Sequence, residues 1–242
     1  MLLPSFTLSN LEKWIERYES GQLLLFDKPL GWTSFDVVKK VKAQFRHKLK
    51  LSKIRIGHAG TLDPLATGLL IVCTGKYTKK IEEIQSRFKV YTGTIFLGAT
   101  TPSYDLETEI NQTFDISSIT EEQIYQAVEK LTGEIFQDPP AYSAVKIEGK
   151  KAYDLARSGK EVKVRTKLVH VHEFEIDTSN LPEIQFRVKC SKGTYIRSLA
   201  SDLGKLLNSG AYLQSLRREK IGEFSVDHAI DPLQFEILPV QN

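Results

Sequence analysis

The 242-residue chain has only two cysteines, and no C-x-x-C spacing joins them. Cys73 and Cys190 lie in apolar or alternating sequence, which predicts buried reduced thiols instead of a disulfide or a metal pair. His58 has no partner at H-x-x-x-H spacing, so no metal site is expected there. No apolar run reaches the roughly 18 residues that a membrane helix needs. The N-terminus also lacks the basic start and apolar core of a signal peptide, and a cytoplasmic protein is expected. Internal repeats, low-complexity tracts and a recognisable interdomain linker are missing too. A G-x-x-x-x-G-K-[ST] phosphate loop is absent, which makes a nucleotide-phosphate cradle at Gly57 to Gly68 a weak reading, because Asp63 would repel phosphate.

Acid is missing from one stretch in particular. Between Val37 and Leu62 there is none, while Lys39, Lys40, Lys42, Arg46, Lys48, Lys50, Lys53 and Arg55 supply eight positive charges. A second basic group comprises Arg187, Lys189, Lys192, Arg197, Lys205, Arg217, Arg218 and Lys220. By contrast, Ser103 to Asp138 carries nine acids against Lys130. The net charge of +3 therefore hides a segregation that favours a polyanion bound on one face, nucleic acid first among them. The plainer alternative is a lysine-rich helix presenting a solvated side, which accounts for one run more easily than for two.

The apolar content of 41% is ordinary for a folded domain. Leu8, Leu11, Trp14, Ile15 and Tyr18 recur at helical spacing, with Ser9 and Glu12 as a capping box and Gly21 as the stop. Leu23 to Phe26 reads as a short buried strand. A second helix follows the Pro29/Gly31 turn, with Val37, Val38, Val41 and Phe45 on one face and lysines on the other. Leu69 to Thr74 is a strand or a buried helix, and Val90 to Leu97 is a strand by composition. Thr120 and Gln123 open a third helix that ends at Gly133, with Ile124, Ala127, Val128 and Leu131 facing the core. Lys167 to Asp177 and Glu183 to Cys190 form strands of a hairpin around Asn180-Leu181-Pro182, and Thr194 to Leu207 is helical. Elements mix without β-α-β alternation. The expected fold is α+β, a largely antiparallel mixed sheet flanked by helices.

Four short segments join backbone-fixing Gly or Pro to polar or aromatic side chains: Phe26-Asp27-Lys28-Pro29-Leu30-Gly31, Gly57 to Leu70, Pro139 to Lys146, and Lys192-Gly193-Thr194-Tyr195-Ile196-Arg197. In the second, Asp63 is the one carboxylate of an otherwise uncharged, glycine-rich turn. A charge at the mouth of apolar sequence is costly unless paired, and catalytic sites bear such costs more often than scaffolds do. Asp63-Pro64 also fits a helix start, with Asp63 as N-cap and Pro64 at the first position.

From about Leu23 to Phe224 the chain resembles the TruB family of tRNA pseudouridine synthases, carried above all by Gly-His-x-Gly-x-Leu-Asp-Pro-x-Ala-x-Gly. The resemblance implies a pseudouridine-synthase-like catalytic domain over residues 23–242, preceded by a helical extension at 1–22. It implies isomerisation of a T-loop uridine, position 55 of tRNA, to pseudouridine on an everted base. That reaction breaks the bond from C1′ to N1 and remakes it at C5 without net redox change or an added group, so no cofactor is called for, and a reversible carboxylate nucleophile suffices. Asp63 takes that role by resemblance, with Arg197 as the arginine that pairs with it and Tyr91 as the tyrosine that stacks on the base. An exposed helical arginine is the ordinary alternative for Arg197, and core packing for Tyr91.

By the same resemblance Tyr195 is a second aromatic wall, Leu216 an apolar pocket residue, and His58 fills space beside the everted nucleotide. Lys28 and Pro29 support the active loop. Tyr142, Lys146, Tyr153 and Arg157 contact substrate, with Lys146 and Arg157 suited to phosphates. Pro102 stands where the family has an acid, which puts that contact in doubt. The expected partner is the T-arm of tRNA, bound by a monomer that needs no obligate protein partner, no membrane and no C-terminal PUA domain. Two other readings remain: a guide-RNA-dependent (dyskerin-like) synthase, and a tRNA-binding or folding chaperone without catalysis.

Overall fold

A computed structural model describes residues 8–51, 53–142, 146–147, 150–151 and 165–237, with backbone alone at 8–11, 146–147 and 150–151. The chain falls into two compact units: one runs up to Arg87 and resumes at Arg218, and the other is Phe88–Arg217. No shift in composition marks either crossing. The N-terminal helix is part of the first unit, where Tyr18 meets Phe45 edge-on at 4.6 Å.

The first unit is built around a hairpin. It contains α1 (Leu8–Ser20), β1 (Leu23–Lys28), α2 (Ser34–Lys48), β2 (Ile56–His58), β3 (Ala66–Thr74), a 3-10 turn (Gly75–Lys80) and α3 (Ile81–Ser86). Strand β3 pairs antiparallel with β1, Leu23 opposite Cys73 and Lys28 opposite Gly68, and also with β2, Ile56 opposite Thr74. Leu70 and Val72 join Trp14, Val37, Val41 and Phe45 in one cluster, whereas Leu69, Ile71 and Cys73 join Ile84 and Ile221 in another. Burial on both faces is why the run is apolar throughout, and why periodicity alone could not tell strand from helix. Helix α2 starts at a reciprocal Thr33/Asp36 capping box and buries Val37, Val38, Val41 and Phe45, as expected. Ser9 lies inside α1, so it is not the residue that precedes the helix.

The second unit is built on antiparallel strands whose order in the sheet differs from their order in the chain. Strands β4 (Lys89–Leu97), β11 (Glu183–Cys190), β10 (Lys167–Asn180) and β7 (Gly133–Gln137) are neighbours in that order. β10 and β11 form the expected hairpin. Helices α4 (Glu121–Lys130) and α5 (Ile196–Leu206) bury Ile124, Ala127, Val128, Leu199 and Leu203 against Ile184, Phe186 and Val188. Thr120 and Gln123 make the predicted capping box. Strand β12 (Ala211–Ile221) was not foreseen; its residues up to Arg217 lie in this unit and the rest in the first. At Gly93 on β4 a Cβ would collide with the Ser215 carbonyl of β12, so only glycine permits that approach. Short strands β5 (Ala99–Thr100) and β6 (Gln112–Thr113) pair with each other, as do β8 (Lys146–Ile147) and β9 (Lys150–Lys151). β13 (Phe224–Ser225) pairs with the end of β12.

Both cysteines are buried and unbridged, as the sequence predicts. Burial pushes each thiol up to about 11, which keeps both protonated and unreactive at neutral pH.

Candidate active site

In the first unit Asp63 sits between β2 and β3, half-buried, on a loop whose neighbouring residues are each anchored. The Ser34 hydroxyl accepts from Leu62 N at 2.8 Å and donates to the Leu62 carbonyl at 3.1 Å. Pro64 offers its carbonyl to Gly31 N at 2.8 Å, and Ala66 N closes the turn on the Asp63 carbonyl at 3.1 Å. Pro64 and Leu65 form that turn and Ala66 opens β3, so no helix follows Asp63. The N-cap reading is thereby overturned: Pro64 supplies a bend into a strand instead of a first helical turn.

Lys28, which the resemblance places in support of the active loop, reaches the Pro64 carbonyl. Fully buried, it donates through Nζ to the carbonyls of Trp32 at 2.7 Å, Pro29 at 2.9 Å and Pro64 at 3.4 Å. Burial pulls its ammonium from 10.5 down to about 8; the Asp63 carboxylate opposes that shift, and the Arg218 guanidinium adds to it. His58 lies at the end of β2, half-buried opposite Val72. Burial first, and Arg218 second, hold its imidazole below the ordinary value, which favours the neutral ring.

In the second unit Tyr195 and Arg197 flank the first residue of α5. Tyr195 is the N-cap residue, held by a reciprocal pair of bonds: its N–H donates to Gln137 Oε1 at 2.7 Å, and its carbonyl accepts from Gln137 Nε2 at 3.1 Å. Gln137 is itself buried and was not anticipated as a functional support. Arg197 is 5% exposed, which excludes the solvated-helix reading. Its Nε lies 3.6 Å from Asp105 Oδ2, and its Nη1 donates to the Ser103 carbonyl at 3.2 Å. Asp105 is the missed residue. Pro102 is exposed, and the acid set beside Arg197 comes three positions later, on a loop tied by Thr101 and Ser103 hydroxyls to the Asp105 carbonyl at 2.7 and 3.1 Å. Tyr91, on β4 opposite Val188, and Leu216, on β12, are both half-buried and pack against the core of this unit.

Tyr142 is half-buried. Lys146 is described by its backbone alone, and Tyr153 and Arg157 lie outside the described residues.

The basic groups need one correction. Lys39, Lys42, Arg46, Lys48, Lys50, Lys53 and Arg55 are exposed, as a phosphate footprint requires. In the second group Lys189 binds Glu173 at 2.7 Å, Arg187 binds Glu173 at 3.3 Å, and Lys205 binds Asp202 at 2.8 Å, while Arg197 and Arg218 are buried. These residues do not form one open cationic face. A cleft of about 300 Å³ in the first unit instead gathers Lys53 and Arg55 with Lys76 and Lys79, and Glu19 on its rim.

A carboxylate on a multiply anchored loop, in a chain that also displays a cationic cleft, fits an enzyme that attacks nucleic acid with an aspartate. Residues 46–196 match the model of the TruB family pseudouridylate synthase N-terminal domain. Over 222 residues the chain is 56% identical to tRNA pseudouridine synthase B of Flavobacterium johnsoniae, covering 91% of this chain and 97% of that relative. The namesake from Bacteroides fragilis is 52% identical, with 90% and 94% covered. Among solved structures, a chain of a Cbf5-Nop10-Gar1 complex matches with a TM-score of 0.65 at 27% identity. That match covers 96% of this chain, which spans 58% of the solved one. The chain belongs to the TruB family of pseudouridylate synthases.

Proposed function

We propose that this protein converts a uridine of tRNA, position 55 in the T-loop, to pseudouridine, with Asp63 as the nucleophile. The observation that carries the assignment is the anchoring of Asp63: the backbone is bonded at Leu62, Pro64 and Ala66, so the carboxylate is presented from a fixed frame. The carboxylate adds to the nucleotide and leaves again, the C1′–N1 bond breaks, and C1′ is rejoined to C5, while the C5 proton is lost and N1 takes one up, so that the product is an isomer of the substrate. Atoms balance without a co-reactant.

Further roles follow the family resemblance. Tyr91 stacks on the everted base, with Tyr195 and Leu216 as the other walls of its pocket, and Arg197 supplies the positive charge that favours an ionised carboxylate. His58, neutral, packs beside the nucleotide, and the Lys53/Arg55/Lys76/Lys79 cleft takes RNA phosphates.

The test is Asp63→Asn, assayed on unmodified tRNA transcript. Pseudouridine formation is expected to vanish while tRNA affinity stays at the wild-type level; retained turnover overturns the assignment. The likeness to subunits of multi-component RNA-protein assemblies is the observation on the side of a guide-RNA-dependent synthase. Turnover on bare tRNA with no added RNA or protein decides against that alternative.

A further inference from the structure

Arg218 belongs to none of the segments that suggested catalysis, and by sequence it reads as one more surface cation. It is instead 1% exposed. Its guanidinium reaches both arms of the Asp63 loop: Nη2 donates to the Gly60 carbonyl at 3.0 Å and Nη1 to the Thr61 carbonyl at 3.4 Å on the incoming arm, and Nε donates to the Leu69 carbonyl at 2.8 Å on the outgoing one. Two glycines of the Gly57 to Leu70 segment lie against it, and at Gly68 only a residue without a Cβ permits the approach. Gly60 has φ of +101°, and a Cβ there would stand 3.5 Å from Nη1; Gly68 has the same φ, and a Cβ there would collide with the Arg218 backbone.

We propose that Arg218 is a positioning residue for the nucleophile. It clamps the two arms of the loop at a fixed separation and so sets where the Asp63 carboxylate stands, without touching substrate. The planar fork matters here, because a guanidinium presents several donors in one rigid plane and remains charged, whereas an ammonium offers three donors from a single point and cannot reach carbonyls on both arms at once. The inference rests on Asp63 being the nucleophile, and its test includes one readout that does not depend on activity.

Arg218→Lys and Arg218→Met are compared with the wild-type chain. At saturating tRNA the turnover number of R218K is expected to fall about 10- to 100-fold, as a misplacement on the order of 1 Å costs, with tRNA affinity and KM unchanged. Amide exchange at Ala59, Leu62 and Ala66, whose N–H groups are bonded within or onto this loop, is expected to rise in R218K while Leu24 and Val72 in the adjoining strands stay protected. Unchanged exchange at those three amides overturns the clamp whether or not the protein makes pseudouridine. Faster exchange with full turnover refutes the positioning role. Failure of both variants to fold also overturns it, since Arg218 would then serve the sheet. An inert wild-type chain whose R218K form shows the expected exchange overturns the functional reading and leaves the clamp standing.

Discussion

Each unit holds an aspartate on a tight loop, and the two loops use a buried arginine differently. Around Asp63 the carbonyls of Gly60, Thr61 and Leu69 accept from Arg218 while Ser34 and backbone bonds hold the tip, and the carboxylate there is half-buried. Around Asp105 the backbone is held by neutral hydroxyls of Thr101 and Ser103, and the carboxylate itself is buried beside Arg197. In the first loop the arginine bonds only main-chain carbonyls on either side of the acid that we propose as the nucleophile. In the second, Arg197 also bonds a backbone carbonyl, that of Ser103, and in addition lies beside the buried acid, which offsets its burial. A buried cation can therefore be satisfied by carbonyls alone or by carbonyls together with a carboxylate.

The largest effect that can break this contrast is expected at Asp105. Removing the acid of a buried ion pair weakens the compensation of its partner, and Asp105→Ala should lower stability, read as a drop in the denaturant midpoint, even though Arg197 keeps its bond to the Ser103 carbonyl. Asp105→Asn keeps an acceptor and should cost less. At 3.6 Å the Arg197–Asp105 contact is coulombic instead of a well-formed hydrogen bond, so the loss of charge should account for most of the damage. A D105A variant as stable as wild type would show that Arg197 is compensated elsewhere and that the two loops do not differ as described.

How much of this was legible beforehand follows the range of each contact. Helices α2 and α4 and the β10–β11 hairpin were readable because their signals are local: a periodic apolar face, a capping box spanning four residues, a turn between alternating strands. The Asp63 motif was readable as a string of residues, although its backbone was not: Pro64 fits a helix start as well as a bend into a strand. Arg218 was not readable, since its partners lie 149 to 158 residues away and are main-chain carbonyls that leave no mark on side-chain identity. Asp105 was hidden for a related reason. The chain bends between Pro102 and Asp105, with Tyr104 at φ of +64°, and brings forward an acid that a linear comparison does not place opposite Arg197. The second basic group misled because formal charge says nothing about which acids a folded sheet sets alongside.

A smaller effect, and one of opposite sign in stability and activity, is expected from Lys28. Its folded-state value of about 8 lies below the usual 10.5, so between those limits the unfolded chain holds a proton that the folded chain has released. Stability from this group therefore rises with pH across that window. Activity should do the reverse, because above pH 8 the neutral amine loses one of the three donors that serve Pro29, Trp32 and Pro64, along with its attraction to Asp63. The turnover number is expected to show an alkaline limb near pH 8, while the unfolding midpoint does not fall there. Lys28→Met should abolish that limb and lower turnover on the order of 10- to 100-fold. A limb that persists in K28M assigns it to another group.

The smallest effect per residue is expected where cations face water, and it separates cations that read a partner from cations that hold the fold. Lys53, Lys76 and Lys79 line the cleft in the first unit and are exposed, so exchanging all three for Gln should leave the unfolding midpoint close to wild type. Phosphate contacts are felt through counterion release: each one lost should make the dependence of log K on log salt shallower by about 0.7–0.9. The triple variant should therefore bind tRNA more weakly, with a slope reduced by about 2 to 3 if every one of these lysines meets a phosphate. Arg187 and Lys189 are the matched control. They carry the same formal charge but already face Glu173 at 3.3 and 2.7 Å, and their exchange for Gln frees a carboxylate as it removes a cation. If both variants change the slope equally per cation removed, net charge alone draws the RNA and the cleft has no special part. A change confined to the cleft variant places the phosphate path on the unit that also carries Asp63, with the buried cations of that unit serving the loop and the exposed ones serving the substrate.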